Sequence, residues 1–269
     1  MSPAMPKELH PGRIAAMTKD CRFGRTVILS DSAGSTNSML AAMAGRLPEG
    51  TLLLTGDQRA GKGRKGRSWY SSSEGSLVFS LLLRPRGESF TLTALLALSA
   101  AVSIERTCGG TRVDMKWPND LYTGGRKVAG ILAENSGDEV ILGMGIDVND
   151  DPSDFPGDLA CKATSLKAAS GIQIDRGRLL ADIMEDFSEH YSRWEREGFE
   201  IFRFDMQQRL MWIGETVTLE DGDGRHSGIF EGISGRGFVM ISDGQEKMVF
   251  SSGDLTPGRN RPGGEGPAG

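Results

Sequence analysis

Two β-prone segments joined by a short polar turn place the strongest constraint on the fold of this 269-residue chain. Residues 126–134 and 139–148 are rich in apolar and β-branched side chains, and the four residues between them, Asn135-Ser136-Gly137-Asp138, form a hairpin turn signal. Further strands are predicted at residues 26–29, 51–55, 76–83 and 112–117. Because hairpin strands outnumber helices, the sequence predicts an α+β fold with a mixed, mainly antiparallel sheet and helices on one face.

The rest of the pattern divides the chain. Helices are predicted at residues 90–107, 176–197 and 199–212, and the long 176–197 segment carries an apolar face. Short strands separated by glycine and aspartate turns then follow at 216–219, 228–233, 237–241 and 247–250, as in a small β-barrel. We therefore predict four parts: an N-terminal extension (1–25), a main domain (26–212), a small C-terminal barrel (213–256) and a disordered tail (257–269).

The segment Gln58–Trp69 is the chemically most distinctive part of the chain. Between Gly61 and Arg67, four residues are basic and three are glycine, and no apolar side chain occurs before Trp69. Glycine allows close backbone approach, and cations suit carboxylate and phosphate oxygens. The segment is therefore interpreted as a mobile clamp for an anionic, partly flat ligand. Residues 61–68 come within one residue of a P-loop pattern, but the context does not fit, because the residues that follow are loop-like rather than a helix.

Composition limits the classes of function. A net charge of −5 argues against a general nucleic-acid binder, so the basic segment is a local feature. The three cysteines, at 21, 108 and 161, are widely spaced and fit reduced thiols in a cytoplasmic protein. No apolar run is expected to reach the length of a transmembrane helix, and the N-terminus has no signal-peptide pattern.

Five stretches together resemble biotin protein ligases, in the order and spacing of that family. They are Ser35-Thr36-Asn37, Gln58–Trp69, Lys116-Trp117-Pro118-Asn119-Asp120, residues 126–132 (Arg-Lys-Val-Ala-Gly-Ile-Leu) and Gly143-Met144-Gly145-Ile146. The resemblance covers roughly residues 25–255 and implies a class II synthetase-like catalytic domain at 26–212 with an SH3-like barrel after it.

The resemblance implies a two-step reaction and its participants. Biotin and MgATP would form biotinyl-5′-adenylate, and a lysine of a biotin carboxyl carrier protein domain would then take the biotinyl group. ATP and Mg²⁺ are the expected cofactors, with biotin as substrate. The expected partner is the carrier, with neither DNA nor a membrane, and a homodimer is left open.

Site residues follow from the same resemblance. The catalytic set is Arg64, Lys127, Lys116 and Asp120. The biotin site would consist of Ser35, Thr36, Asn37, Gln58, Gly61, Lys62, Arg64, Lys127, Gly130, Gly143 and Gly145. The ATP site would consist of Arg64, Arg67, Trp69, Lys116, Asn119, Asp120, Lys127 and Asp147, with Mg²⁺ at Asp120 and Asp147.

Some of these residues also have a purely structural explanation, and the sequence departs from the family pattern at several points. Ser35, Thr36 and Asn37 could serve only as a helix cap, and Gly143 and Gly145 only as bulge glycines. Lys62 stands where the family usually has arginine, and Asp147 stands where asparagine is usual. No DNA-binding N-terminal domain is recognised, so repressor activity is not expected. Two alternatives remain: a lipoate or octanoate ligase of the same superfamily, and a non-catalytic biotin or nucleotide sensor.

Overall fold

The computed structural model describes residues 7–86 and 89–258. In chain order, the strands are β1 Val27–Ser30, β2 Leu52–Thr55, β3 Gly61–Lys62, β4 Ser68–Trp69, β5 Ser76–Leu83, β6 Asp114–Lys116, β7 Asp120–Thr123, β8 Arg126–Ser136, β9 Glu139–Asp147, β10 Thr216–Glu220, β11 Arg225–Ile233, β12 Val239–Ser242, β13 Lys247–Phe250 and β14 Asp254–Pro257. The α-helices are α1 Pro11–Met17, α2 Thr36–Met43, α3 Leu92–Thr107, α4 Leu159–Lys162, α5 Leu166–Ser170, α6 Arg176–Glu197 and α7 Arg203–Gln207.

Seven strands form the main sheet, in the order β1-β2-β5-β9-β8-β7-β6. Only β1 and β2 run parallel, and every other neighbouring pair is antiparallel. The predicted hairpin is the β8–β9 pair, whose register places Ser136 opposite Glu139. The prediction of a mixed, mainly antiparallel sheet is confirmed.

The two faces of the sheet differ because side chains alternate along each strand. On β5 and β9, residues such as Phe79 and Leu142 are fully buried in the large core with α3 and α6. The opposite face of the same strands holds a smaller cluster, in which Leu82 and Ile141 pack beneath Leu40 of α2. The helical layer on one face is confirmed, and α2 packs on part of the opposite face.

The long helix α6 matches its predicted bounds because its signals are all local. The Asp175 side chain accepts from the Arg178 N–H and caps the N-terminus, and Gly198 follows the C-terminus with φ 78°. Its apolar face, including Leu180 and Phe187, is fully buried against α3 and the sheet.

The part of the N-terminal extension that the structure describes belongs to the core. Leu9, Ile14 and Phe23 are at most 2% exposed, and α1 packs on α6. Three apolar residues spaced five and nine apart give no helical period, which is why the sequence pattern did not reveal this packing. Residues 1–6 lie outside the described ranges.

The C-terminal strands form a five-stranded antiparallel sheet in the order β13-β12-β11-β10-β14. Its buried Val217 and Phe230 are contiguous with the main core, and the Trp117 indole donates to the Gly237 carbonyl at 3.0 Å. An SH3-like closure and the exact domain division stay predictions. Pro257 ends β14 rather than beginning a tail, and residues 259–269 lie outside the described chain.

Two further expectations need correction. The predicted helix at 199–212 ends at Gln207, after which the chain hydrogen-bonds to the backbone of Met115 on the edge strand β6. The free backbone groups of that edge favour extended pairing over helix. Within the described ranges, the helical stretch Ser89–Thr107 is long and apolar enough to cross a membrane by length and composition, contrary to expectation. However, 61% of it is buried inside the fold, as in a core helix.

Candidate active site

Glycines on β8 and β9 form the floor of a cavity on the α2 face of the sheet. Gly130 pairs with Gly145 in register. A Cβ at Gly145 would overlap the Trp69 indole, and a Cβ at Gly143 would overlap the Asn37 amide. These positions therefore need glycine so that side chains can approach the sheet directly, and not only for bulge geometry.

The N-terminus of α2 meets this floor, and Gln58 caps it. Gln58 Oε1 accepts from the Thr36 N–H at 3.0 Å and from Thr36 Oγ1 at 3.3 Å. Ser35 occupies the N-cap position but makes no side-chain capping bond. Ser80 Oγ lies 2.8 Å from Thr36 Oγ1 and 2.6 Å from Asn37 Oδ1. Helix capping therefore does not account for Ser35, and the cluster is held by partners from β5 and the basic segment.

Asn37 leads to a carboxylate that the sequence interpretation missed. Its amide nitrogen donates to Glu134 Oε2 at 2.8 Å, and Lys62 Nζ lies 4.0 Å from Glu134 Oε1. Lys62 also donates to Ser38 Oγ at 2.8 Å. Glu134 is four residues beyond Gly130 on β8, so strand alternation places both on one face and would have indicated it.

Two cations stand at the other end of the cavity. Lys127 Nζ lies 2.8 Å from Asp120 Oδ1 and 5.4 Å from the Trp69 ring centroid. Arg64 donates to Asn119 Oδ1 at 3.3 Å. Burial lowers the pKa of Arg64, and the charges of Asp254 and Asp120 partly offset this. A desolvated cation held by neutral or singly charged partners interacts strongly with an entering anion.

The basic segment is a short hairpin that docks on the C-terminal sheet. Strands β3 and β4 pair, and at its tip Lys65 Nζ donates to the Glu220 carbonyl at 3.4 Å. Arg64 donates to the Gly253 carbonyl at 3.1 Å, and Arg67 forms an ion pair with Asp254. Burial alone would raise the pKa of Asp254, but Arg67 and neighbouring lysines hold it below its ordinary value.

Trp69 covers the glycine floor. Its indole packs on Gly130 and Gly145, and the cavity left beside it has a volume of about 110 Å³. Within the described chain, the buried indole N–H has no hydrogen-bond partner. A buried N–H group without a partner has lost its hydrogen bond to water, which costs free energy. Movement of Trp69 away from the floor would remove that cost and enlarge the cavity.

Most of the predicted site residues meet in this one cavity. The predicted residues that line it are Ser35, Thr36, Asn37, Gln58, Lys62, Arg64, Arg67, Trp69, Asn119, Asp120, Lys127, Gly130, Gly143 and Gly145. Asp254 also lines it and was missed, because nothing in the sequence connects positions 187 residues apart. Three predicted residues, Gly61, Lys116 and Asp147, are not among the lining residues.

Lys116 and Asp147 have identifiable surroundings. Lys116 Nζ lies 5.8 Å from the Trp212 ring centroid, and burial lowers its pKa against the opposing charges of Asp120 and Asp254. Asp147 is only 4% exposed. Burial raises the pKa of Asp147 well above its ordinary value, the nearby Asp150 adds to this, and Lys127 opposes it.

Replacing Asp147 with asparagine is therefore expected to raise the free energy of unfolding at neutral pH. The folded protein retains the Asp147 proton across a pH window, starting near 3.8, in which the unfolded chain has released it. Wild-type stability falls as pH rises through this window, by about 1.4 kcal/mol for each pH unit, and asparagine avoids the loss.

Thermal unfolding across this pH range measures the effect, and the two proteins should converge as the pH falls toward 3.8. Asp151→Asn is the matched control: Ser153 lowers the pKa of exposed Asp151, so that carboxyl titrates below 3.8 and its stability difference should stay level across the measured range. A stability difference for Asp147→Asn that does not grow with pH would contradict the interpretation.

Comparison with known proteins gives three findings. The profile of the biotin/lipoate A/B protein ligase family matches residues 31–149. The bifunctional ligase/repressor BirA of Bacillus subtilis is 32% identical over 262 residues, which span 94% of this chain and 80% of the relative. The biotin–[acetyl-CoA-carboxylase] ligase of Paracoccus denitrificans is 29% identical and covers 82% of this chain and 96% of its own length.

A solved structure of similar fold comes from the same family of enzymes. The biotin protein ligase from Aquifex aeolicus, in complex with biotin and ATP, superposes with a TM-score of 0.79 at 31% identity. The match covers 86% of this chain and 98% of that one.

Proposed function

This chain belongs to the biotin protein ligase family, and we propose that it attaches biotin to a lysine of a carrier domain through biotinyl-5′-adenylate, with the reaction taking place in this cavity. The observation that carries the proposal is the meeting of the α2 polar cluster with Arg64 and Lys127 above one glycine floor. Biotin presents ureido donors and an acceptor at one end and a carboxylate at the other. The two ends of the cavity supply matching groups.

In the first step, a biotin carboxylate oxygen attacks the α-phosphorus of ATP, the bond to the bridging oxygen breaks, and pyrophosphate leaves. Carboxylate and triphosphate repel each other, so the site must hold cations where they meet. Lys127 and Arg64 serve this role, and Arg67 and Lys116 supplement the positive potential around them. Once the Trp69 indole moves off the glycine floor, it supplies an aromatic surface against which the adenosine can pack.

In the second step, the amine of a carrier lysine attacks the acyl carbon of the adenylate. An amide bond forms as the amine nitrogen releases a proton to solvent, the bond between the acyl carbon and the phosphate oxygen breaks, and AMP leaves with that electron pair. The cations that helped form the anhydride also stabilise the departing AMP phosphate.

Mg²⁺ is proposed to enter with the phosphates, where it would neutralise their charge. Asp120 fits this use because its buried Oδ1, although 2.8 Å from Lys127, accepts no aligned hydrogen bond in the described part of the chain. Asp147 fits less well, since it is buried away from the cavity lining. Residues 7–86 and 89–258 contain no group of three histidine, cysteine or acidic ligands, so the phosphates would complete the coordination.

Transfer to a carrier tests the proposed function. Purified protein with MgATP, a biotin carboxyl carrier domain and equal concentrations of biotin, lipoate and octanoate should attach biotin to the carrier. A carrier with its acceptor lysine replaced by arginine is the control and should remain unlabelled. Transfer of lipoate or octanoate, with biotin refused, would favour the other branch of the superfamily, and binding without transfer would indicate a sensor.

The remaining partner predictions are proposed on chemical grounds. The net charge of −5 opposes sequence-selective binding of duplex DNA, although the Bacillus relative is named a ligase/repressor. A gel-shift titration at physiological salt should show no saturable, sequence-selective complex, and observing one would contradict this prediction. A cytoplasmic location fits the three free thiols in the described chain, and a homodimer stays a prediction.

A further inference from the structure

Arg176 carries a charge in the interior of the fold and lies outside the cavity. It is the first residue of α6, and its side chain is 2% exposed. Its Nε donates to Glu8 Oε1 at 2.5 Å. Its Nη1 donates to the Ser76 carbonyl at 2.8 Å and to the Ser73 carbonyl at 3.2 Å. One guanidinium thus joins the N-terminal segment to the turn before β5.

That turn is fixed from its other side as well. Ser72 Oγ donates to Asp150 Oδ1 at 2.5 Å, and Ser76 Oγ donates to the same oxygen at 3.0 Å. A Cβ at Gly75 would lie 2.6 Å from the Asp150 side chain, so the turn packs against Asp150 without spare room. The segment from Ser72 to Ser76 therefore has little freedom while Arg176 and Asp150 hold it.

The position of this turn matters because it follows Trp69 closely along the chain. Only two residues separate Trp69 from Ser72, so the turn limits the positions that the backbone of Trp69 can take. Trp69 packs on the glycine floor where β8 and β9 pair. If the Ser72–Ser76 turn is held in place, the Trp69 side chain can adopt fewer positions when a nucleotide enters.

We propose that Arg176 and Glu8 are positioning residues for the nucleotide: they fix the Ser72–Ser76 turn and thereby the path of Trp69. Glu8 supplies the countercharge that allows Arg176 to remain buried and donate to both carbonyls. The N-terminal segment, which the sequence pattern treats as an extension, thus acts on the ATP side of the site. This inference rests on the proposed function, because it assigns the effect to ATP rather than to biotin.

The chain offers a matched control. Arg13 binds both Asp175 oxygens, at 2.9 and 2.6 Å, and the Glu8 carbonyl at 3.0 Å. It ties the same N-terminal segment to the start of α6 but makes no bond to the turn. Its pair with Asp175 is about 40% exposed. Arg13→Gln therefore loosens the segment without removing the Arg176 bonds to Ser73 and Ser76.

The test measures the KM for ATP and the KM for biotin separately in biotin-dependent pyrophosphate exchange. Arg176→Met should raise the KM for ATP by roughly ten- to a hundredfold, because a small misplacement of a positioning group has effects of that size. The KM for biotin should change by less than about threefold. Arg176→Lys, which keeps the charge beside Glu8, should fall between wild type and Arg176→Met, and Arg13→Gln should leave the ratio of the two KM values at the wild-type level.

Glu8→Gln keeps the inference testable if Arg176→Met does not fold. It preserves an oxygen acceptor for Arg176 and should shift the same ratio in the same direction by a smaller factor. An unchanged ratio in folded Glu8→Gln and Arg176→Lys, or an equal shift in Arg13→Gln, would overturn the inference. Absence of biotin-dependent exchange in the wild type would instead contradict the proposed function, so the two failures are distinguishable.

Discussion

Replacing Lys127 with methionine is expected to slow biotinyl-adenylate formation by roughly a hundred- to a thousandfold, the usual cost of removing one preorganised charge-stabilising group. Lys127 Nζ stands 2.8 Å from Asp120 and beside Gly130, at the end of the cavity that must receive the carboxylate and the phosphates. Without the ammonium, Asp120 loses its nearest cation, and its negative charge then repels both substrates more strongly. The loss should appear in pyrophosphate release measured with saturating biotin.

A second variant separates catalysis from folding. The unpaired Asp120 destabilises Lys127→Met by about 1–3 kcal/mol, and adding Asp120→Asn should restore the melting temperature. The double variant should still lack activity, because no cation has been returned to the site. Recovery of pyrophosphate release together with stability would mean that Lys127 acts on folding and not on the reaction.

Replacing Arg64 with glycine is expected to release the intermediate rather than to prevent its formation. Arg64 is partly buried, and among residues 7–86 and 89–258 its guanidinium donates hydrogen bonds only to Asn119 and the Gly253 carbonyl, so it can be redirected to the adenylate phosphate. A charge-assisted bond of that kind contributes about 1.5–3 kcal/mol, or roughly ten- to a hundredfold in retention. The freed anhydride should then acylate lysines on unrelated proteins.

The measurement compares biotin label on albumin after incubation of each protein with biotin and MgATP. Arg59→Gly is the matched control, because Arg59 lies in the same basic segment, pairs with Asp57 and does not line the cavity. Arg64→Gly should label albumin more than wild type, and Arg59→Gly should not. Equal labelling by all three, with pyrophosphate still released, would show that Arg64 does not retain the intermediate.

Elements with local signals were the ones that the sequence predicted well. The bounds of β5, α6 and β13 agree with expectation because alternation, capping and glycine turns lie within each segment. The four-residue strand β7 and the two-residue strands β3 and β4 are too short to show any period. The segment after Gln207 pairs with β6 through its backbone, which composition does not record.

The site shows the same division between local and long-range information. The glycines and cations that the family resemblance assigned come together, because they occupy adjacent strands and the hairpin above them. Asp254 and Glu8 could not have been found in this way. Each acts through an ion pair with a residue more than a hundred positions away, and charge pairing over such separations has no sequence period.

The basic segment illustrates a prediction that the fold modifies. The sequence predicts a mobile clamp, and the four cations between Gly61 and Arg67 repel one another. The C-terminal sheet instead offers them Glu220, Gly253 and Asp254, which offset part of that repulsion. We still expect Trp69 to move on binding, since the cavity of about 110 Å³ beside it is well below the volume of typical ligand sites.

Biotin-dependent exchange of labelled pyrophosphate into ATP tests the central claim most directly, because it reports adenylate formation without a carrier. The wild-type protein should catalyse exchange only when biotin is present, and Lys127→Met should lose it. Exchange that is independent of biotin, that proceeds equally well with lipoate, or that is absent from the wild type would contradict the assignment of this cavity.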